Sequence, residues 1–151
     1  MAKNYHNVRA GGQGDYELRS AVEASGAVSP GQLVEYAADA GTYQTHSAAG
    51  ERTSMFIAEV MPYSGDSEDD TSPLSDAYAD GEAMNVVIAP PKTRVLCRLA
   101  DAEDPSIGDA LVSNGDGNFA VHVDEAEGAK LGIVRETYSV DDVDFAVVDP
   151  V

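Results

Sequence analysis

From Val28 onward, short apolar runs alternate with turn signals at roughly ten-residue spacing. Ser29-Pro30-Gly31 leads into residues 32–36, an alternating run, and residues 42–47 form a second candidate strand with Thr42, Tyr43 and Thr45. Residues 54–60 are strongly apolar and end at Pro62, and residues 82–89 stop at Pro90-Pro91. Residues 93–100 follow, with Val95, Cys97 and Leu99 alternating against Arg94, Leu96 and Arg98. Residues 109–113 and 118–123 flank Asn114-Gly115-Asp116-Gly117, a strong hairpin signal because the central residues of such turns favour positive φ. Residues 130–136 and 144–148 complete the series. No run has the 3.6-residue apolar period of an amphipathic helix; residues 21–27 and 124–129 suffice for one helical turn each. The pattern predicts an all-β, single-domain small β-barrel or sandwich of about eight short strands.

Two regions break the rhythm. Residues 1–28 are polar and glycine-containing, with sparse apolar positions at Tyr5, Val8, Tyr16, Leu18 and Val22. They read as an extended N-terminal arm outside the core, preceding a barrel domain at 29–151. Residues 65–81 interleave acids with Ser, Pro and Gly and read as a long acidic surface loop.

Composition adds a constraint on partners. The 27 Asp and Glu outweigh the 9 Lys and Arg, for a net charge of −18 over 151 residues. A nucleic-acid backbone or an anionic membrane as main partner is thereby disfavoured, since both need a basic face. The 17 Val exceed the 7 Leu and 4 Ile together, which suits strands, and Trp is absent, so the core is light. Asp at 16 against Glu at 11, with only 3 Lys, makes a short-stemmed carboxylate surface suited to molar salt. At about 1 M the screening length is only ~3 Å, so self-repulsion largely disappears. This predicts a halophilic source. No apolar targeting segment follows Met1, and no run approaches the ~18 residues of a membrane span, so the expectation is a soluble chain made inside the cell.

Candidate chemistry is sparse. The single Cys97 excludes an intrachain disulfide and sits in an apolar run with no histidine nearby, as a small core hydrophobe does. His6, His46 and His122 lie in separate segments. Clustered Cys and His of a zinc site are missing, as are nucleotide and nucleophile-elbow motifs. The best metal candidate is Asp66, Glu68, Asp69 and Asp70, hard-cation ligands without the EF-hand order, and a solvated acidic loop accounts for them. No cofactor and no enzymatic activity are expected. A weakly basic arm on an acidic body instead suits docking through the arm. Tyr5, Arg9, Tyr16, Leu18 and Arg19 are the candidate contacts to a docking partner or a neighbouring subunit.

The order of segments resembles the small capsid decoration (cement or head-stabilising) proteins of tailed viruses. The resemblance rests on Ser29-Pro30-Gly31-Gln32-Leu33-Val34, Met55-Phe56-Ile57-Ala58-Glu59-Val60, Gly81-Glu82-Ala83-Met84-Asn85-Val86, Gly108-Asp109-Ala110-Leu111-Val112, Leu131-Gly132-Ile133-Val134 and Phe145-Ala146-Val147-Val148, spanning residues 28–149. The long insertion at 65–80 and the terminal Asp141, Asp142, Asp144 and Asp149 depart from it. The resemblance implies a homotrimeric β-barrel on the capsid exterior, bound to the major capsid protein and bridging capsomers. With this composition, it implies a virus of a halophilic archaeon. Alternatives are another virion β-barrel, such as a turret or tail adaptor, and a small halophilic β-barrel hydrolase. The hydrolase would require a His, an acid and a Ser or Cys to converge in space.

Overall fold

Two sheets are built from eleven strands in the computed structural model, which describes residues 5, 7–39, 41–60, 72–123 and 128–151. In chain order the strands are β1 (Arg9–Gly12), β2 (Glu17–Ala24), β3 (Val34–Tyr36), β4 (Thr42–Thr45), β5 (Phe56–Ala58), β6 (Ala83–Ile88), β7 (Thr93–Arg98), β8 (Ala110–Ser113), β9 (Phe119–Val121), β10 (Gly132–Val140) and β11 (Val143–Pro150). One 3-10 turn, Pro73–Ser75, lies between β5 and β6. The all-β expectation holds. The six-stranded sheet runs β1-β7-β11-β10-β8-β9, and the five-stranded sheet runs β3-β4-β2-β6-β5.

Both sheets curl. In the smaller one, the lead into β3 meets β5 through a Leu33–Ile57 bridge, and Gly31 and Gln32 exchange backbone hydrogen bonds with Ala58. The sheet therefore closes into a roll. Its interior holds Ala24, Val28, Val34, Tyr43, Ala58, Tyr78, Met84 and Val86, all buried. In the larger sheet, Leu99 bridges Phe119 and draws the β7 and β9 ends together. Alternation sends Ile57 and Val87 the other way from Ala58 and Val86, into the main core with Leu96, Phe119, Val134 and Phe145. The five-stranded sheet is thus apolar on both faces.

The rolls meet at Gly31. Its N–H donates to Ala58 and its carbonyl accepts from Arg98 N–H at the end of β7. Its φ is +85°, and an added Cβ would stand 2.9 Å from the Phe145 ring, so the turn requires glycine.

The N-terminal segment differs from the expected arm. Val8 and Ala24 are fully buried, β1 pairs with β7, and β2 is the central strand of the smaller sheet. Residues 21–24, expected to suit a helical turn, belong to β2. The strand was hidden because its outward positions are polar and because the register shifts between Arg19 and Val22, with Ala21 at φ 56°. The acidic loop also needs correction. Residues 65–71 and residues 124–127 of the helical-turn candidate at 124–129 lie outside the described residues, but Leu74 and Tyr78 are buried to within 1%. Leu74 joins the main core and Tyr78 the small roll, so within 72–81 these two side chains act as plugs, while Ala77, Ala79, Asp80 and Gly81 are exposed as the loop expectation has them. The Tyr78 hydroxyl donates to the Glu59 carbonyl at 2.7 Å.

The predicted hairpin forms as β8–β9, with Gly115 and Gly117 both at φ 87°. The longest hairpin, β10–β11, turns instead on Asp141 and Asp142, at φ 52° and 62°. The Asp141 carboxylate accepts from Ser72 N–H at 2.7 Å and Ser75 Oγ at 2.6 Å, tying this turn to the plug. Those bonds, the hydroxyl first, hold its pKa below the usual carboxylate value.

Candidate functional site

The joint between the rolls gathers, among the described residues, a constellation with the makings of catalysis. His46 directly follows β4; its N–H donates to the Leu33 carbonyl, and its carbonyl accepts from Gly117 N–H in the β8–β9 turn. These bonds turn the imidazole into the interface, where it is 2% exposed. Nδ1 lies 2.8 Å from Ser113 Oγ at the end of β8, and Nε2 lies 3.8 Å from Glu35 Oε2 on β3. The other Glu35 oxygen accepts from Gln44 Nε2 at 2.9 Å and Ser47 Oγ at 2.7 Å. Burial alone would raise the Glu35 pKa, but these bonds and the nearby His46 outweigh it and hold the group below its ordinary value.

A serine, a histidine and a glutamate therefore do converge. Nucleophilic catalysis needs such a chain, with the hydroxyl reaching both the base and an incoming carbonyl. Here Ser113 is 2% exposed and its Oγ also accepts from Gly115 N–H at 3.3 Å. The chain links β3, the end of β4 and β8, and its geometry is that of a buried polar staple between the rolls. Sequence reasoning missed it because His46 and Ser113 stand 67 residues apart and neither segment carries a local motif.

The five expected contact residues fall into separate places. The Tyr5 hydroxyl donates to Glu136 Oε2 at 3.1 Å, and its ring meets Tyr138 edge-on at 5.1 Å. Burial, then Glu136, pushes its pKa up to about 12. Arg9 Nε donates to Glu59 Oε2 at 3.1 Å, and the buried Glu59 also accepts from the N–H groups of Val8 and Val60. The Tyr16 hydroxyl lies between the carbonyls of Gly11 and Arg94, fixing the bend between β1 and β2. Leu18 is 44% exposed. Arg19 stands at the mouth of the small roll, 5.4 Å from the Phe56 ring centre and 5.7 Å from that of Tyr36, and donates to the Tyr36 and Tyr43 hydroxyls. Those two bonds raise the Arg19 pKa.

Asp66, Glu68, Asp69 and Asp70 lie outside the described residues, as do Lys3 and His6. Among the described residues, no group of three or more His, Cys, Asp or Glu is placed to hold a metal ion. Cys97 is fully buried on β7, and burial pushes its thiol pKa up, away from the thiolate a nucleophile needs. Among the described residues, no helix is long and apolar enough to cross a membrane.

No protein-family model matches the chain, and no curated protein matches it. A solved structure does: the N-terminal base of the head fiber protein gp8.5 of bacteriophage phi29 is similar at TM-score 0.52 and 15% identity. The similarity covers 91% of this chain and 98% of that one. At this identity the likeness concerns the fold.

Proposed function

We propose that this chain is a structural protein of a virus head, standing on the outside of the shell as a trimer and stabilising it by bridging capsomers. The observation that carries the reading is the fold shared with a phage head fiber base over nearly the full length of both chains. The decoration-protein resemblance of residues 28–149 points the same way. Cryo-electron microscopy of native particles tests it: trimeric density on the outer surface is the expected result. Density confined to the tail or a portal ring would replace it with the adaptor reading, and absence of the protein from purified particles would end it.

The charge supplies a further expectation. A trimer would bring together three chains of −18, so it should dissociate or lose β-sheet circular dichroism as salt is lowered below a few tenths molar, where the screening length exceeds about 5 Å. A trimer whose mass in light scattering is unchanged in dilute buffer would count against the assembly.

A hydrolase on Ser113 is the second reading, favoured by its convergence with His46 and Glu35. A fluorophosphonate probe decides it. Stoichiometric labelling of wild type that Ser113→Ala abolishes would establish the nucleophile; unlabelled protein would leave the set as a staple.

A further inference from the structure

A cleft of about 540 Å³ opens between residues 52–55 and 88–91, which flank strands of the smaller sheet, and residues 130–131 and 150–151, at the ends of β10 and β11. Its walls are apolar, with Met55, Ile88, Leu131 and the prolines Pro90, Pro91 and Pro150. Among the described residues its charged lining is Arg52 and Lys130, with no Asp or Glu, although the chain has 27 acids and only 9 Lys and Arg. The nearest acids in sequence are Glu51, which points to solvent beside Arg52, and Asp149, which is ion-paired to both Arg94 and Arg135. Arg9, Arg19, Arg94 and Arg135 each have an acid partner, whereas Arg52 has no ion pair among the described residues.

We infer that this cleft binds an extended acidic peptide segment carrying apolar side chains, supplied by the shell protein on which the chain stands. The inference deepens the proposed function and rests on it for the partner's source. Charge complementarity selects an acid. The arginine offers a planar fork that matches a carboxylate. Apolar walls on either side would desolvate the contact, which keeps it effective in salt that screens longer-range attraction. Among the described residues the N–H groups of Arg52, Thr53 and Ser54 make no backbone hydrogen bond, so this wall offers donors to an extended partner.

The test pairs two variants of equal charge change, Arg52→Gln with Lys130→Gln and, as control, Ala27→Glu with Ser106→Glu, the latter at exposed positions outside the cleft lining. Fold is checked by circular dichroism. A fluorescein-labelled heptapeptide of alternating acidic and leucine residues is titrated at high salt and followed by anisotropy. Wild type and control should bind it, and the cleft variant should bind about tenfold or more weakly, as loss of charge-assisted contacts implies. No binding by wild type, or equal binding by all three, overturns the cleft assignment. The same proteins are then added to undecorated shells, with a photo-crosslinking residue at Thr53. Loss of decoration by the cleft variant, with crosslinks to an acidic stretch of the shell protein, supports the assignment. Decoration unaffected by the cleft variant, or crosslinks to a second copy of this chain, overturns it. Peptide binding by a wild type that decorates no shell would leave the cleft as an acidic-peptide site and bring down the virion reading instead.

Discussion

The two rolls use strand pairing differently. The larger is stitched by long antiparallel ladders: β10 and β11 pair along almost their whole length, and β11 continues onto β7. The smaller is made of shorter pairings, with one parallel pair, β2 with β4, and the register shift in β2. Much of its closure comes from side chains at its ends: Val28 and Tyr78, outside its strands, toward one end of β2, and Arg19 with its aromatic neighbours toward the other. A sheet with long ladders can lose a side chain locally. A roll closed by plugs depends on them.

The sharpest way to break the comparison is to pull a plug. Replacing residues 72–81 by a Gly/Ser linker of equal length removes Leu74 and Tyr78 from the two cores at once. Tyr78→Ala alone should cost about 3–5 kcal/mol, the usual figure for emptying a large buried aromatic site. Hydrogen exchange should show protection lost first at β2, β4 and β6, with β10 and β11 amides still protected. Equal loss in both rolls would mean that they unfold as one unit.

Gly31→Ala sharpens the point from the joint. Positive φ and the approach of Phe145 to 2.9 Å should together cost about 2–3 kcal/mol. Since Gly31 bonds to both rolls, the loss should be shared between them. Ser113→Ala leaves His46 Nδ1 without its partner and should cost about 1–2 kcal/mol, measured by urea unfolding.

How much of this was legible in the sequence depended on whether the signal was local. Asn114-Gly115-Asp116-Gly117 announced β8–β9 because glycine is the inexpensive way to reach positive φ. Asp141-Asp142 makes an equivalent turn without glycine, supported by Ser72 and Ser75 from a distant segment, so the β10–β11 hairpin was seen as two strands and not as a pair. β2 was missed because Glu17, Ser20 and Glu23 face solvent and the shift near Ala21 breaks its alternation. Leu74 and Tyr78 were isolated apolar residues in a polar string, and no periodicity marks a plug. The His46 staple and the cation-lined cleft depend on which segments the topology brings together, which composition does not encode.

Alkaline titration reads the plug by another route. Burial raises the Tyr78 pKa from its ordinary value of 10.0 to about 12. The unfolded chain therefore loses this proton first, so the contribution is complete below pH 10 and declines as pH rises through about 12. Two units correspond to roughly 2–3 kcal/mol at most. Tyr5, also raised to about 12, acts in the same sense on the larger roll but is less buried and should contribute less. Tyr78→Phe should flatten the alkaline decline more than Tyr5→Phe does. The reverse order, measured from urea midpoints between pH 9 and 11, would place the weak point in the larger roll.

The smallest effect is expected at the open mouth. Arg19 is joined there to Tyr36 and Phe56 by its guanidinium face and to the Tyr36 and Tyr43 hydroxyls by its N–H groups, while Glu17 lies 4.0 Å away. An exposed cation–π contact contributes about 0.5–1 kcal/mol, and an exposed ion pair less. Arg19→Lys keeps the charge but gives up the planar fork that reaches two hydroxyls, so it should recover less than half of what Arg19→Ala loses. Salt separates the causes. If stacking and hydrogen bonding hold the mouth closed, the Arg19→Ala deficit in urea midpoint should be nearly the same in dilute buffer and at high salt. If the pair with Glu17 matters, the deficit should shrink as salt rises, and Glu17→Gln should reproduce it. A deficit that persists at high salt and is absent from Glu17→Gln would identify Arg19 as the second plug of the small roll, polar where Tyr78 is apolar.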